Sequence, residues 1–253
     1  MKISVITPVY NGSKTIVPCI ESVKKQTYKE IEHIIIDGGS TDGTLDKIDK
    51  YSSKVAKVVS EPDKGIYDAM NKGISLASGD IIGILNSDDL YADNDVLSSV
   101  AQVFKDLSVD SCYGDLVYVD PRDTDKIIRF WKSSSYSDRL FYKGWMPPHP
   151  TFFVKRAIYE KMGRYRLDLG SAADYELMLR FILKSGISTS YIPRVLVKMR
   201  CGGKSNASIL NRLHANCYDR KAWKVNGMKP KPWTLLMKPL SKIKQYFSKI
   251  NEV

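Results

Sequence analysis

Two acidic turns carry the chemistry that this sequence could perform: DGGSTDG at residues 37–43 and NSDD at residues 86–89. Each turn comes directly after a short apolar run, at residues 34–36 and 81–85. Apolar runs of this length, followed by Gly or Asp clusters, are typical of buried strands in a parallel sheet. Ligands bind at the carboxyl ends of such strands, and carboxylates there repel a bare phosphate. A phosphorylated ligand would need a divalent cation between the two, so the first hypothesis is a nucleotide held through a metal ion.

The elements that must position these turns alternate along the N-terminal part of the chain. The pattern predicts strands at 2–9, 32–36, 55–60 and 81–85, and helices at 14–26, 44–51 and 66–77. This order indicates a parallel sheet with right-handed crossovers. Farther along, the pattern predicts strands at 111–119, 151–155 and 187–200, a helix at 172–185, and a polar stretch up to residue 143. The chain is therefore expected to be an α/β protein.

Composition excludes several classes of protein. The four cysteines are scattered and form no C-x-x-C pair, which argues against a zinc site or a disulfide framework and for a reducing compartment. The first residues resemble a strand, and Pro8 interrupts them too early for a signal peptide. No run approaches the ~18 apolar residues that a transmembrane helix needs. We expect a cytoplasmic protein, either free or peripheral on the inner face of the cell membrane.

The net charge of +11 comes entirely from the C-terminal part of the chain. Residues 198–253 hold thirteen Lys or Arg against only Asp219 and Glu252, and the remaining residues are neutral. The pattern predicts a helix at 206–225, an extended segment at 228–233 and a basic amphipathic helix at 239–250. The apolar side of that last helix consists of Leu240, Ile243, Phe247 and Ile250. A neutral body with a basic tail indicates contact with an anionic surface rather than a nucleic-acid-binding domain.

The sequence resembles the family 2 glycosyltransferases, which use nucleotide sugars and have the GT-A fold. The matching motifs are TPVYN at 7–11, DGGSTDG at 37–43, DKG at 63–65 with NKG at 71–73, SGD at 78–80, NSDD at 86–89 and ADYE at 173–176. They occur in family order and are most similar to bacterial members that build capsule, O-antigen or exopolysaccharide units. The resemblance implies a Rossmann-like mixed sheet flanked by helices, in a single catalytic domain at 1–205. Its nucleotide-sugar half would be 1–110 and its acceptor and catalytic-base half 111–205, followed by a basic helical extension at 206–253.

The resemblance assigns the turn after the second strand to the donor nucleotide. It implies that Asp37 accepts a hydrogen bond from the pyrimidine base, commonly uracil, and a carboxylate suits an imide N–H because it only accepts. Pro8 and Tyr10 would line the same pocket. The alternative is that Asp37 caps the helix beginning near Thr44, a role that Asp42 could fill equally well.

The segment Asn86-Ser87-Asp88 occupies the place of the family's D-x-D motif. The resemblance implies that Asp88 binds Mn²⁺ or Mg²⁺, which holds the donor diphosphate. Here the first position is an amide, so Asn86 and Ser87 would face the ribose without adding charge. The alternative is that Asp88 and Asp89 cap a helix.

The resemblance assigns the general base to Asp174, which would deprotonate the acceptor hydroxyl. The alternative is an acidic residue that stabilises a helix N-terminus. Lys64 and Asn71 would contact the donor or its diphosphate, and His149, in a proline-rich loop, would line the acceptor site. Arg200 and residues 202–205 resemble a loop that closes over phosphates.

These observations together predict an inverting glycosyltransferase that acts on a nucleoside-diphosphate sugar, with a UDP-sugar as the expected donor. The expected acceptor is a glycan or a polyprenyl-diphosphate-linked glycan at an anionic membrane surface. Two alternatives remain open, a metal-dependent nucleotidyltransferase and a nucleic-acid-binding protein that works through the basic tail. The neutral body argues against the second, so no nucleic-acid partner is expected. The donor sugar, acceptor, linkage, preferred metal and oligomeric state are open at this point.

Overall fold

The computed structural model describes residues 1–51, 53, 55–202, 209–243 and 245. The strands are β1 Ile3–Val9, β2 Ile31–Asp37, β3 Lys57–Ser60, β4 Ile81–Ile84, β5 Leu90–Tyr91, β6 Ser111–Val119, β7 Ile127–Trp131, β8 Phe153–Lys155 and β9 Thr189–Arg200. The helices are α1 Ile16–Lys24, α2 Thr44–Asp49, α3 Ile66–Leu76, α4 Val96–Val103, α5 Arg156–Met162, α6 Ala173–Met178, α7 Ile209–Val225 and α8 Thr234–Ile243. Short 3-10 turns cover Phe141–Lys143, His149–Thr151 and Leu167–Ala172.

Every described strand belongs to one mixed sheet, in the order β3-β2-β1-β4-β8-β6-β9-β5, with β7 paired to β6. The first four of these strands are parallel, and β8 runs antiparallel between β4 and β6. Val9 lies opposite Asp37, and Ile6 lies opposite Ile84. The carboxyl ends of β1, β2 and β4 therefore meet at one edge of the sheet, which confirms the expected α/β architecture.

The inner strands of the parallel half, β1, β2 and β4, are buried on both faces because helices cover each side. Every residue of β1 and β4 is buried. On one face α3 lies directly on β1, since a Cβ added at Gly73 would overlap Cγ2 of Ile6. Burial on both sides explains why these strands are continuous apolar runs, and their predicted positions are confirmed to within two residues at each end.

Four elements were not predicted, among them the short helix α5, which follows β8 directly. Strand β7 lies inside the polar stretch. Its consecutive residues Ile127 and Ile128 are both 43% exposed and only Phe130 is buried, so no apolar alternation marks the strand. Strand β5 has only two residues and exists because it pairs with Val197 and Lys198 of β9. Helix α4 does have an apolar stripe, of which Val96, Leu97 and Val100 are fully buried, and the prediction overlooked it.

Two predicted helices need correction. The helix expected at 172–185 is α-helical only to Met178 and continues as a π-helical turn, Leu179–Lys184, whose wider turn directs Leu179, Phe181 and Ile182 into the core. The final helix was expected to begin at residue 239, but α8 begins at Thr234 and contains Pro239. Buried Leu235 anchors its first turn, which offsets the hydrogen bond that the proline cannot donate. The predicted apolar positions Phe247 and Ile250 lie outside the described residues.

The basic C-terminal segment packs on the body of the protein. Trp223 of α7 is fully buried, and its Nε1 donates a hydrogen bond to the Tyr175 hydroxyl at 3.0 Å. Leu235 of α8 belongs to the same apolar core. The described helices include none with the length and apolar composition to cross a bilayer.

Candidate active site

The loops that follow the parallel strands are joined to one another at the carboxyl edge of the sheet. Asn11, just after β1, has a left-handed backbone with φ 52°. Its side-chain Oδ1 accepts a hydrogen bond from Thr41 N at 2.9 Å, and its N–H donates to Ser40 Oγ at 2.8 Å. A Cβ added at Gly12 would lie 3.3 Å from Ser87 Oγ, so the loops after β1 and β4 also touch. Both acidic turns therefore border the same site.

Asp37 shapes the turn after β2. Its carboxylate is fully buried, and Oδ2 accepts hydrogen bonds from Gly39 N at 3.1 Å, Ser40 N at 3.0 Å and Ser60 Oγ at 2.7 Å. The capping role at the start of α2 belongs instead to Asp42, which accepts a hydrogen bond from Thr44 N at 3.2 Å. Recognition of a base by Asp37 stays a prediction, and the hydrogen bonds reveal that the same carboxylate also fixes the turn.

Pro8 and Tyr10 lie on the two sides of the point where β1 ends. Pro8 is buried within the strand, opposite Ile36 of β2. Tyr10 follows the strand and is 58% exposed, with its ring beside Gly38. Tyr10 thus presents an aromatic face to solvent next to the Asp37 turn, as a residue that stacks on a base would.

The NSDD turn places Asp88 at the carboxyl end of β4. Asp88 is half-buried, and none of the described residues donates a hydrogen bond to its carboxylate. Arg200, at the end of β9, donates from Nη1 to the Asp88 carbonyl at 2.6 Å and so fixes this turn from the far half of the sheet. Helix α4 begins only at Val96, so neither Asp88 nor Asp89 caps it.

Asn86 and Asp89 form the buried base of the turn. Asn86 Nδ2 donates to Asp89 Oδ2 at 3.1 Å, and Asp89 is fully buried. Burial, followed by the nearby charge of Asp88, raises the pKa of Asp89 well above its ordinary value. The amide at position 86 is therefore used to support the turn, and its contact with a ribose stays a prediction.

The side chains at this end of the sheet fit a hard divalent cation that is held partly by the protein and partly by substrate phosphates. Within the described ranges, no cluster of three or more His, Cys, Asp or Glu side chains could enclose a metal ion. Mg²⁺ typically binds through one or two carboxylates plus substrate phosphates, and a single open carboxylate such as Asp88 meets that requirement.

Asp174 meets two other side chains at the start of α6. Its Oδ2 lies 3.2 Å from His149 Nδ1, and the two side chains are 13% and 28% exposed. Tyr67 of α3 also adjoins Asp174, and burial together with that negative charge raises the pKa of the phenol. Asp174 lies in the first turn of α6, so its carboxylate is well placed to stabilise the helix N-terminus. The same carboxylate is partly buried beside His149 and Tyr67.

Strand pairing places His149 at the same end of the sheet as Asp88. In the antiparallel pair of β4 and β8, Gly83 lies opposite Phe153 and Ile81 lies opposite Lys155. The chain before Phe153, which includes His149, therefore lies beyond the carboxyl end of β4, where the NSDD turn also stands.

Asn71 and Lys64 are placed differently from each other. Both polar atoms of the Asn71 amide bond the backbone of Tyr165 at 2.9 Å, and the Tyr165 ring lies 5.4 Å from that of Tyr67. Asn71 thus holds the wall of the site around Tyr67. Lys64 is exposed in the loop before α3, with its side chain available to solvent. Donor contacts by both residues stay predictions.

Glu176, the last residue of the ADYE motif, supports the site from below. It is almost fully buried and accepts hydrogen bonds from Arg180 Nε at 2.8 Å and Nη2 at 3.1 Å. Arg180 also donates to the carbonyls of Gly163 and Arg164, at 3.1 and 2.7 Å. This network fixes the helix that carries Asp174 to the loop before it. Sequence reasoning missed this role and also that of Tyr67.

The sequence matches the family model described as glycosyl transferase family 2 over residues 4–163. A PGL/p-HBAD biosynthesis glycosyltransferase of Mycobacterium bovis is 30% identical over 211 residues, which cover 81% of this chain and 80% of the relative. An uncharacterized glycosyltransferase of Mycobacterium tuberculosis is 37% identical over 183 residues, which cover 72% of this chain and 69% of the relative.

Solved glycosyltransferase structures share the fold. S. aureus TarS residues 1–349 in complex with UDP-GlcNAc superpose with a TM-score of 0.63 at 18% identity, covering 97% of this chain and 78% of that one. The mannosyltransferase PcManGT of Pyrobaculum calidifontis, in complex with GDP-Man and Mn²⁺, superposes with a TM-score of 0.66 at 18% identity, covering 98% and 76%. By its sequence motifs, its family match and its sheet, this chain belongs to glycosyl transferase family 2 and is a glycosyltransferase with the GT-A fold.

Proposed function

We propose that the protein transfers a sugar, with inversion, from a nucleoside-diphosphate sugar to a hydroxyl of a glycan or lipid-linked glycan. The observation that carries the proposal is the pairing of Asp174 with His149 beyond the carboxyl end of β4, the same end that carries Asp88. One end of the sheet thereby holds an open carboxylate for a cation and a second, oriented carboxylate for a proton.

The first part of the mechanism is donor binding. The Asp37 turn and the exposed Tyr10 ring would receive the nucleoside, and Asp88 would hold Mn²⁺ or Mg²⁺ against the diphosphate. Such a cation, when bound, supplies charge neutralisation for the departing nucleoside diphosphate. Arg200 keeps the Asp88 turn in place through the main chain.

The second part is the displacement. Asp174 accepts the proton of the acceptor hydroxyl, and the hydroxyl oxygen bonds to the anomeric carbon while the bond from that carbon to the diphosphate breaks. A single displacement inverts the anomeric configuration. His149 keeps the Asp174 carboxylate oriented, and the Tyr67 and Tyr165 rings limit the space around it.

The relatives favour particular substrates. TarS binds UDP-GlcNAc, PcManGT binds GDP-Man with Mn²⁺, and the mycobacterial relative is named for PGL/p-HBAD biosynthesis. These names support a UDP- or GDP-sugar donor, divalent metal use and an acceptor in cell-surface glycan synthesis. The family resemblance, in which the aspartate matching Asp37 commonly binds uracil, favours a UDP-sugar among them.

A panel of UDP-, GDP- and dTDP-sugars tests the proposal. We expect one donor to release its nucleoside diphosphate only with Mn²⁺ or Mg²⁺, and the released or transferred sugar to have the inverted configuration by NMR. A metal-dependent nucleotidyltransferase would instead release pyrophosphate from a nucleoside triphosphate. That product, or retention of configuration, would overturn the proposed reaction.

A further inference from the structure

The outward side of α8 presents an apolar stripe to solvent. Trp233, directly before the helix, and Leu236, Met237 and Leu240 within it are 52%, 65%, 39% and 51% exposed. Their spacing puts them on one side of the helix. These four residues are called the α8 apolar face below. Clustered exposed apolar side chains of this kind mark interaction surfaces.

The opposite side of α8 is already committed to the protein body. Leu235 is buried in the core, and Thr234 Oγ1 donates to the Tyr142 carbonyl at 2.7 Å. Lys238 Nζ pairs with both carboxylate oxygens of Asp219, at 2.7 and 2.8 Å. The helix backbone also packs so closely on Gly144 that a Cβ there would overlap Lys238 N. These contacts fix the orientation of α8, so among the described residues none covers its apolar face, which is available to a partner.

Cations surround one end of this face. Arg139, Lys143 and Lys231 line a cavity of about 420 Å³ together with Tyr142 and Trp233. Lys231 Nζ lies 5.7 Å from the Tyr142 ring centre and 5.6 Å from that of Trp233. All three cations are exposed, and they are called the basic rim below. An apolar stripe with a tryptophan at its edge and basic side chains beside it is the composition of a helix that lies in a membrane interface.

We propose that the α8 apolar face and the basic rim together form a docking surface for an anionic phospholipid bilayer. Charge complementarity selects this occupant, because the rim would meet negative headgroups while the apolar side chains enter the acyl boundary. A second copy of the chain fits poorly, since a two-fold contact through this face would bring two basic rims together.

Docking in this way would bring the helix that carries the proposed base close to the membrane surface. Lys238 Nζ lies 3.7 Å from the centre of the Tyr175 ring, and Tyr175 follows Asp174 directly. Only one layer of side chains therefore separates α8 from the segment that carries the proposed base. This consequence rests on the proposed function, and it favours an acceptor that is itself carried by a lipid.

Vesicle co-sedimentation of the full chain tests the docking surface without any turnover, so its result is independent of the donor screen. The parent should pellet with phosphatidylglycerol-containing vesicles at low salt, and much less at high salt or with pure phosphatidylcholine. The rim variant is Arg139→Gln/Lys143→Gln/Lys231→Gln, and its matched control of equal charge change is Lys25→Gln/Lys29→Gln/Lys57→Gln. We expect about a fivefold loss of affinity per rim charge, or about a hundredfold for three, and a far smaller loss in the control.

A second pair of variants tests the apolar face. Leu236→Ser should weaken vesicle binding about fivefold or more, whereas Leu107→Ser, which alters an exposed leucine in the turn after α4, should leave it unchanged. Tryptophan emission should shift to the blue on adding vesicles, and Trp233→Phe should remove most of that shift. Unchanged thermal melting establishes that each variant is folded.

Three results would overturn the proposal. The first is equal, salt-insensitive partitioning to both kinds of vesicle. The second is a rim variant that behaves as its lysine control does. The third is a parent protein that does not bind vesicles but forms a dimer, which the Leu236→Ser substitution dissociates. That result would assign the α8 apolar face to a second copy of the chain.

Discussion

The pairing of Asp174 and His149 makes a quantitative prediction about catalysis. Asp174→Asn keeps the shape of the side chain and removes its ability to accept a proton, so kcat should fall by ~10² to 10⁴. His149→Asn removes the group 3.2 Å from Asp174 Oδ2. A hydrogen bond to a charged group contributes about 1.5–3 kcal/mol, so His149→Asn alone should lower kcat by about 10- to 150-fold.

The double variant decides whether His149 acts through Asp174. If it only orients the carboxylate, Asp174→Asn/His149→Asn should be no slower than Asp174→Asn alone, because the group being oriented is already lost. The expected coupling energy is then about 1.5–3 kcal/mol, the whole cost of the histidine.

The assay is nucleoside-diphosphate release from the donor found in the panel, with donor affinity measured separately by calorimetry. Asp168→Asn is a matched control, since Asp168 is a more exposed acid six residues earlier that pairs with Arg166 and Lys221. It should stay within about twofold of the parent. Donor affinity should be retained in all variants. Independent, multiplicative losses in the double variant would refute the reasoning and assign His149 its own contact with substrate.

Three further predictions concern the metal, pH and packing. Asp88→Ala should abolish Mn²⁺-dependent donor binding in calorimetry while leaving the melting temperature unchanged; unaltered affinity would remove Asp88 from the metal site. Burial lowers the pKa of His33 from 6.5 in the unfolded chain to about 4 in the folded protein. As the pH falls, His33 is therefore protonated in the unfolded chain before it is protonated in the folded protein. The free energy of unfolding should therefore fall by up to about 3 kcal/mol as pH drops from 6.5 to 4, and urea titrations should find this slope reduced in His33→Gln. Gly73→Ala should cost about 1–3 kcal/mol in the same titrations because its methyl group would overlap Ile6, whereas Ser75→Ala, on the exposed side of α3, should cost far less. A Gly73 variant as stable as the parent would contradict the close contact between α3 and β1.

The sequence was informative where a local pattern coincides with burial. Residues 34–36 of β2 are completely buried, so an apolar run followed by Asp37 marked both a strand and its end. Asp37 and Asp88 could be located for the same reason, since each follows a strand with a clear apolar pattern, whereas Asp174 was assigned from the family resemblance. Strand β5 could not, because its two residues become a strand only through pairing with β9, more than a hundred residues away.

The same limit applies to the walls of the site. Tyr67 and Asp174 come from α3 and α6, and their proximity depends on how those helices pack. The two hydrogen bonds between the Asn71 side chain and the Tyr165 backbone likewise join residues that are far apart in the chain. The order of the motifs can predict which charged residues belong to the site. The side chains that orient those residues depend on tertiary contacts, which produce no periodic pattern in the sequence.

The position of β8 in the sheet has a consequence for the protein during its synthesis. Strand β4 ends at Ile84, but its partner on one side, β8, begins only at Phe153. At roughly 5–20 residues per second, the ribosome needs several seconds to make the intervening chain. During that interval the nascent sheet ends in an apolar, unpaired strand, which is a template for aggregation and a substrate for chaperones. The Asp88 turn is completed later still, because Arg200 must emerge before its side chain can bond the Asp88 carbonyl.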